Sequence, residues 1–201
     1  MQAEFASLDQ RLAAHRDPLD DRVIDNMLAG YAFVDALVAA GTDVFALGQL
    51  RHLLELNALV LCGSSEERRA AHAGHRAATE RRFYDERDAG IQDVVEWHAG
   101  HADEPACSRA AGVYVRMLST PQLFIEGNHR TGALVMSHVL VSAGLSPFVL
   151  SVANAGAYFA VSTALRNTHK NGPGALFRLP GLRRRLVALL RDHDDAMYLL
   201  A

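Results

Sequence analysis

The sequence predicts an all-α fold, and three observations carry that prediction. Apolar residues recur at three- and four-residue spacing almost throughout, while strict alternation is nearly absent. Half of the 201 residues are hydrophobic but only 7% are aromatic, with alanine and leucine dominant, a palette that favours helices over a β sandwich. Glycine and proline fall between the periodic stretches, where they end helices, and no internal repeat or low-complexity tract intervenes. The length suits one compact domain with a single sizeable core.

The elements follow in order. A first helix is expected over residues 3–15, stopped by Asp17-Pro18 because proline disfavours helical geometry in the residue before it. A second spans 20–40 and ends at Gly41. Thr42 or Asp43 is expected to cap a third, with the stripe Leu47, Leu50, Leu54 and Ala58, closing at Gly63. Ser64 or Ser65 opens a charged fourth helix with Glu66 and Glu67 in its first turn, where the helix dipole favours them, running to the neighbourhood of Gly90. Residues 91–101 read either as a short helix or as an irregular excursion. Pro105 suits the first turn of a helix that carries Val113, Tyr114, Met117 and Leu118 inward before Pro121 breaks it. Helices over 128–143 and 153–168 follow, then the loop "NGPGA" and a last amphipathic helix over 179–199.

The net charge of −3 gives no global field for nucleic acid, so none is expected as a partner. The two cysteines, Cys62 and Cys107, form no CxxC, which argues against a disulfide framework or a cysteine zinc site and for a cytoplasmic location. The charged N-terminus lacks the apolar core of a secretory signal. The apolar region 133–165 is interrupted by Gly144, Pro147 and Gly156 and reads as two buried helices, not a membrane span.

The chemistry concentrates in "QLFIEGNHRTGALV", residues 122–135. Gly127 permits a turn that side-chain-bearing residues resist, and the next residues open a helix whose first N–H groups lack intrahelical partners. Those donors and the helix dipole form an anion site. Arg130 adds a planar donor fork that matches phosphate. Asn128 can cap the helix or bond a phosphate oxygen, His129 can supply another donor, and Thr131 lies in the same first turn. Glu126 would oppose an anion unless a divalent cation sat between them, as in a Mg²⁺-bound nucleotide. The plainer alternative is a capped helix with Glu126 and Arg130 as a surface pair.

This segment resembles the signature of the Fic/Doc (Fido) family, His-Pro-Phe-x-Asp/Glu-Gly-Asn-Gly/Lys-Arg. Phe124, Glu126, Gly127, Asn128 and Arg130 match it, and "TGAL", "GLSPF" and "AYFAVSTAL" follow in the family's usual order. The resemblance covers about residues 50–190. It implies a Fic-like helical bundle over 46–201, with the phosphate-binding loop between two core helices, a short flap hairpin near residues 91–101, and residues 1–45 as a helical extension packed on the core. It further implies transfer of a nucleotidyl or phosphoryl group, from ATP or a related nucleotide, to a hydroxyl of a protein target. Glu126 would hold Mg²⁺, residues Gly127 to Arg130 would cradle the phosphates, and Phe124 would anchor the loop in the core.

The chain departs from the pattern at the catalytic position. Gln122 stands where the family has its general-base histidine, and Leu123 replaces the proline. An amide cannot accept that proton, and a positioned base is worth about 10²- to 10⁴-fold in rate. Ala133 replaces the second arginine of AMP-transferring members. His129 replaces Gly or Lys and reads as a phosphate donor or as a relocated base. The inhibitory Ser/Thr-x-x-x-Glu segment is not visible, since Glu55 near Asn57 has the wrong spacing. Three functions therefore stand open: a Fic-type transferase with a non-standard mechanism, an inactive binding or regulatory module, and an enzyme acting on a phosphorylated small molecule.

Other features have structural readings beside functional ones. "HAGH" occurs twice, at His72–His75 and His98–His101, and on a helix each pair would share a face that could bind a metal. With ten histidines in the chain and no recognisable zinc pattern, polar helix-surface residues are the preferred reading. His138 reads as a satisfied interior histidine. Trp97 reads as an anchor for an irregular segment or as a contact for a target. The basic face of residues 182–192 reads as a solvated helix or as a homodimer surface.

Overall fold

The computed structural model describes residues 20–85 and 90–192. The helix expected over 3–15 and the last residues of the C-terminal helix lie outside these. Among the described residues there are nine helices and no β-strand. They are α1 (Asp21–Ala39), α2 (Arg51–Cys62), α3 (Glu66–Ala71), α4 (Ala73–Asp85), α5 (Ile91–Ala99), α6 (Ala106–Leu118), α7 (Asn128–Val141), α8 (Val152–Arg166) and α9 (Ala175–Asp192).

The core is organised around α6 and α7, which pack on each other. α7 is buried at every residue from Thr131 to Leu140, so no exposed face remains along its middle. α1 and α2 cover it on one side, while α5, α8 and α9 pack against α6. Two close approaches along α7 need glycine. A Cβ at Gly30 would overlap the Leu134 side chain where α1 crosses α7, and one at Gly132 would stand 2.8 Å from the Tyr114 ring of α6. Residues 21–39, read from sequence as part of a helical extension packed on the core, pack on α2 and α7.

Several local expectations are corrected. α2 begins at Arg51, not near Thr42, because residues 40–50 form successive turns and Gly48 takes a left-handed φ of 82°. Leu47 is consequently 99% exposed, and the inward face of α2 is Leu53, Leu56, Asn57 and Val60. The charged fourth helix is two helices, broken at His72. α9 starts four residues earlier than expected and carries Pro180 inside it, as its sixth residue, where proline lacks the N–H that would donate to the carbonyl four residues before it. Its apolar face, Leu182, Leu186, Leu189 and Leu190, is buried.

No described helix is long and apolar enough to cross a membrane. The expected flap hairpin is absent among the described residues: Ile91–Ala99 is helical, and Trp97 packs against Gly112, stacks on His101 at 4.0 Å and lies under the Arg183 guanidinium at 4.8 Å. Trp97 is an anchor between α5, α6 and α9.

Candidate functional site

The loop of residues 119–127 joins the two core helices, as the sequence predicted. Its start is fixed to the α8–α9 connector, where Thr120 N–H donates to Thr168 O at 3.0 Å and Lys170 N–H donates to Thr120 O at 2.7 Å. Lys170 itself is buried, with Nζ donating to Asp93 Oδ2 and to Arg116 O. Burial pushes its pKa down and Asp93 pulls it back up. Leu123 and Phe124 plunge into the core, and the Phe124 ring stacks on Phe83 of α4 at 5.7 Å. Phe124 is thus the anchor the motif led us to expect.

The turn that follows is shaped by three side chains. Asn128 reaches back, its Oδ1 accepting from Phe124 N–H at 2.9 Å and its Nδ2 donating to Phe124 O at 2.8 Å. Asn128 does not cap α7 with its side chain; its amide closes the loop onto Phe124. Asn57 of α2 donates to Glu126 O at 2.9 Å and to Thr131 Oγ1 at 3.1 Å, clasping the loop and the first turn of α7 together. Arg82 of α4 donates to Gln122 O through Nη2 at 2.6 Å and Nε at 3.2 Å. Six residues of irregular backbone, 122–127, are therefore held from both flanks.

Gly127 is the N-cap of α7 with φ 74° and ψ 6°, and no side chain caps the helix. Thr131 N–H makes the first intrahelical bond, to Gly127 O at 2.9 Å, leaving the preceding N–H groups without an intrahelical acceptor. Glu126, directly before this turn, is exposed, and Arg130 is half-buried with Nη1 donating to Val60 O at 3.0 Å. Arg130 thus sits beside the end of α2 with part of its donor fork committed to a backbone carbonyl.

His129 stands beside a tyrosine pair. Its Nδ1 lies 3.5 Å from Tyr114 Oη, Tyr114 Oη donates to Tyr158 Oη at 2.8 Å, and Tyr158 Oη donates to His129 O at 3.1 Å. Gln122 is half-buried, with Nε2 donating to Leu118 O at 3.3 Å and Oε1 at 3.5 Å from Asn128 Nδ2. The amide is embedded in the loop's own network. Ala133 is buried, so nothing at that position reaches the α7 N-terminus.

The histidine pairs do not converge. His72 lies in the break between α3 and α4 while His75 lies on α4, and His101 lies beyond the end of α5. His98 stacks on Phe45 at 4.2 Å while His101 stacks on Trp97. No group of three or more His, Cys, Asp or Glu able to hold a metal occurs among the described residues.

Sequence reasoning passed over Asn57 and Arg82 as parts of this site. Asn57 had a readable signal, a polar residue on the apolar face of α2, 3% exposed. Arg82, in the charged run "ERRFYD", had none. Compared with known proteins, the chain matches no family model and no curated sequence.

Proposed function

We propose that the protein binds the phosphates of a nucleotide at the N-terminus of α7 and does so without the proton-transfer base of a conventional transferase. The observation that carries this reading is the uncapped, left-handed Gly127 turn with the exposed Glu126 carboxylate immediately before it. Side chains that elsewhere would cap the helix hold the loop's shape instead, and the dipole of a helix N-terminus favours an anion. Thr131 supports the turn through Asn57, and Arg130 is close enough in sequence to contribute charge from the first helical turn.

A single carboxylate fits Mg²⁺ carried in by the nucleotide. Mg²⁺ is commonly held by one or two carboxylates together with substrate phosphates rather than by an all-protein cage. Here Glu126 would supply that one ligand, and when bound the ion would neutralise phosphate charge. Gln122 in place of a base, engaged by Leu118 and Asn128, supports binding over turnover.

The test is isothermal titration of ATP, GTP, CTP and UTP, with and without Mg²⁺, against wild type, Glu126→Ala and Arg130→Ala. The expected result is saturable binding to at least one nucleotide, weakened about tenfold or more in each variant, as loss of a charge-assisted contact implies. Equal affinity in all three proteins would remove the loop as the site. Introducing Gln122→His then asks whether a base restores group transfer to a protein hydroxyl.

A further inference from the structure

We propose that the outward face of α9 docks on an anionic lipid bilayer, with Leu176 and Phe177 entering the headgroup region and a line of arginines meeting the lipid phosphates. The inference stands independently of the phosphate reading above.

The first observation is how charge is distributed. From Gly127 to Arg191 the chain holds eight Arg and Lys residues and no Asp or Glu, although its overall charge is −3. Acids return only at Asp192, Asp194 and Asp195. Such asymmetry within a chain points to an anionic surface as partner. α9 carries most of the excess, as Arg178, Arg183, Arg184, Arg185 and Arg191. Arg183 is spent inward, donating to Glu104 and to Ser108 O and lying over the Trp97 ring. The other four are exposed, and none of them pairs with an acid among the described residues.

The second observation is geometric. Seven residues make about two helical turns, so positions seven apart share a face. Phe177, Arg184 and Arg191 fall on one such line, opposite the buried Leu179, Leu182 and Leu186, and Arg178 and Arg185 fall on a second line beside it. At the N-terminal end of this face Leu176 and Phe177 are 79% and 84% exposed. A single exposed apolar side chain is ordinary. Here two adjacent bulky ones stand out from the first turn of a helix and continue directly into a basic line.

A bilayer complements both halves of the face. An anionic leaflet attracts basic residues at its surface, about fivefold in affinity for each, and the boundary between headgroups and acyl chains accepts Phe and Leu. Arginine also lays its apolar stem along such a boundary while its donor fork meets phosphate. Nucleic acid fits less well. α9 has no Asn, Gln, Ser or Thr side chain for base edges, and a phosphodiester backbone offers Leu176 and Phe177 no apolar place.

The experiment is co-sedimentation of the full chain with vesicles of phosphatidylcholine alone, and of phosphatidylcholine and phosphatidylserine in equal parts, at low and high salt. Two double variants accompany the wild type: Arg184→Glu with Arg191→Glu, and Leu176→Ser with Phe177→Ser. All four positions are exposed, so the fold is expected to persist, which a thermal melt checks. The expected result is saturable binding to the anionic vesicles alone, weakened about tenfold or more by high salt and by the charge variant, and about tenfold by the apolar variant. Absence of binding to anionic vesicles at low salt would overturn the inference, and the wild type alone decides that. So would equal binding to both kinds of vesicle, or binding that either variant leaves unchanged. Polyglutamate or a DNA duplex that displaced the vesicles, and bound the apolar variant as tightly as the wild type, would make the face a general polyanion site and remove the bilayer. A dimer in sedimentation that the apolar variant dissociates would give the face to a second copy of the chain instead.

Discussion

Two irregular connectors pack against α7, and they are held by different chemistry. The loop before it, residues 119–127, is fixed by amides and an arginine: Asn57, Asn128 and Arg82 each bond its backbone. The connector between α1 and α2, residues 40–50, is fixed by groups that titrate. His138 of α7 donates from Nε2 to Thr42 O at 3.0 Å, His98 of α5 stacks on Phe45, and Asp43 accepts from Phe45 N–H at 2.9 Å. The difference teaches which connector is a rigid frame. Amide and guanidinium groups keep their charge between pH 5 and 8, whereas imidazoles can change theirs.

The comparison can be broken most directly at Asn128. Replacing it by alanine leaves the buried Phe124 N–H and C=O both without partners, and unsatisfied buried groups cost about 1–3 kcal/mol each. Asn128→Ala is therefore expected to lose about 2–4 kcal/mol in urea unfolding at neutral pH. A loss no larger than that of a surface substitution would show that the loop is not framed by its amides.

Gly127→Ala comes next. A side chain at φ 74° costs about 1–2 kcal/mol, and the added Cβ would meet Asn57 Nδ2 at 3.0 Å, pressing on the clasp itself. Circular-dichroism melts should show a drop in Tm, and nucleotide affinity should fall with it if the turn shapes the anion site.

The other connector sharpens the contrast through pH. Burial is the main cause lowering the pKa of both His138 and His98 from 6.5; Asp43 pulls each back up, while His52 and Arg109, respectively, lower them further, as does their mutual proximity for His98. A histidine whose folded pKa is depressed binds its proton more readily when unfolded. Stability is thus complete above about pH 6.5 and is lost as pH falls through the folded-state values. Urea midpoints between pH 8 and 5 should fall in that direction, the slope should lessen in His138→Gln, and Asn128→Ala should keep the wild-type slope. The smallest effect is expected at Leu47, whose exposure predicts that Leu47→Lys changes stability by no more than about 0.5 kcal/mol.

The same contrast explains what was legible in the sequence. The α6–loop–α7 unit could be read because its punctuation is local: Pro105 opens α6, Gly127 opens α7, and Gly144 follows its end. Phe124 was readable as an anchor through the motif. The 40–50 connector was misread because Leu47 and Leu50 continue a helical spacing that the backbone abandons at Gly48, and a spacing pattern does not reveal which residues are helical. The break at His72 was hidden in an alanine-rich run whose intrinsic propensity favours helix throughout.

The central claim is that a phosphate sits on the first turn of α7. The most direct measurement is a ¹H–¹⁵N amide titration of the wild-type protein with Mg²⁺-ATP, followed by inorganic pyrophosphate as a control without a base. The account predicts saturable shifts centred on the amides of Gly127, Asn128 and His129, shared by both ligands. Shifts that leave these three amides untouched at saturating ligand would contradict it.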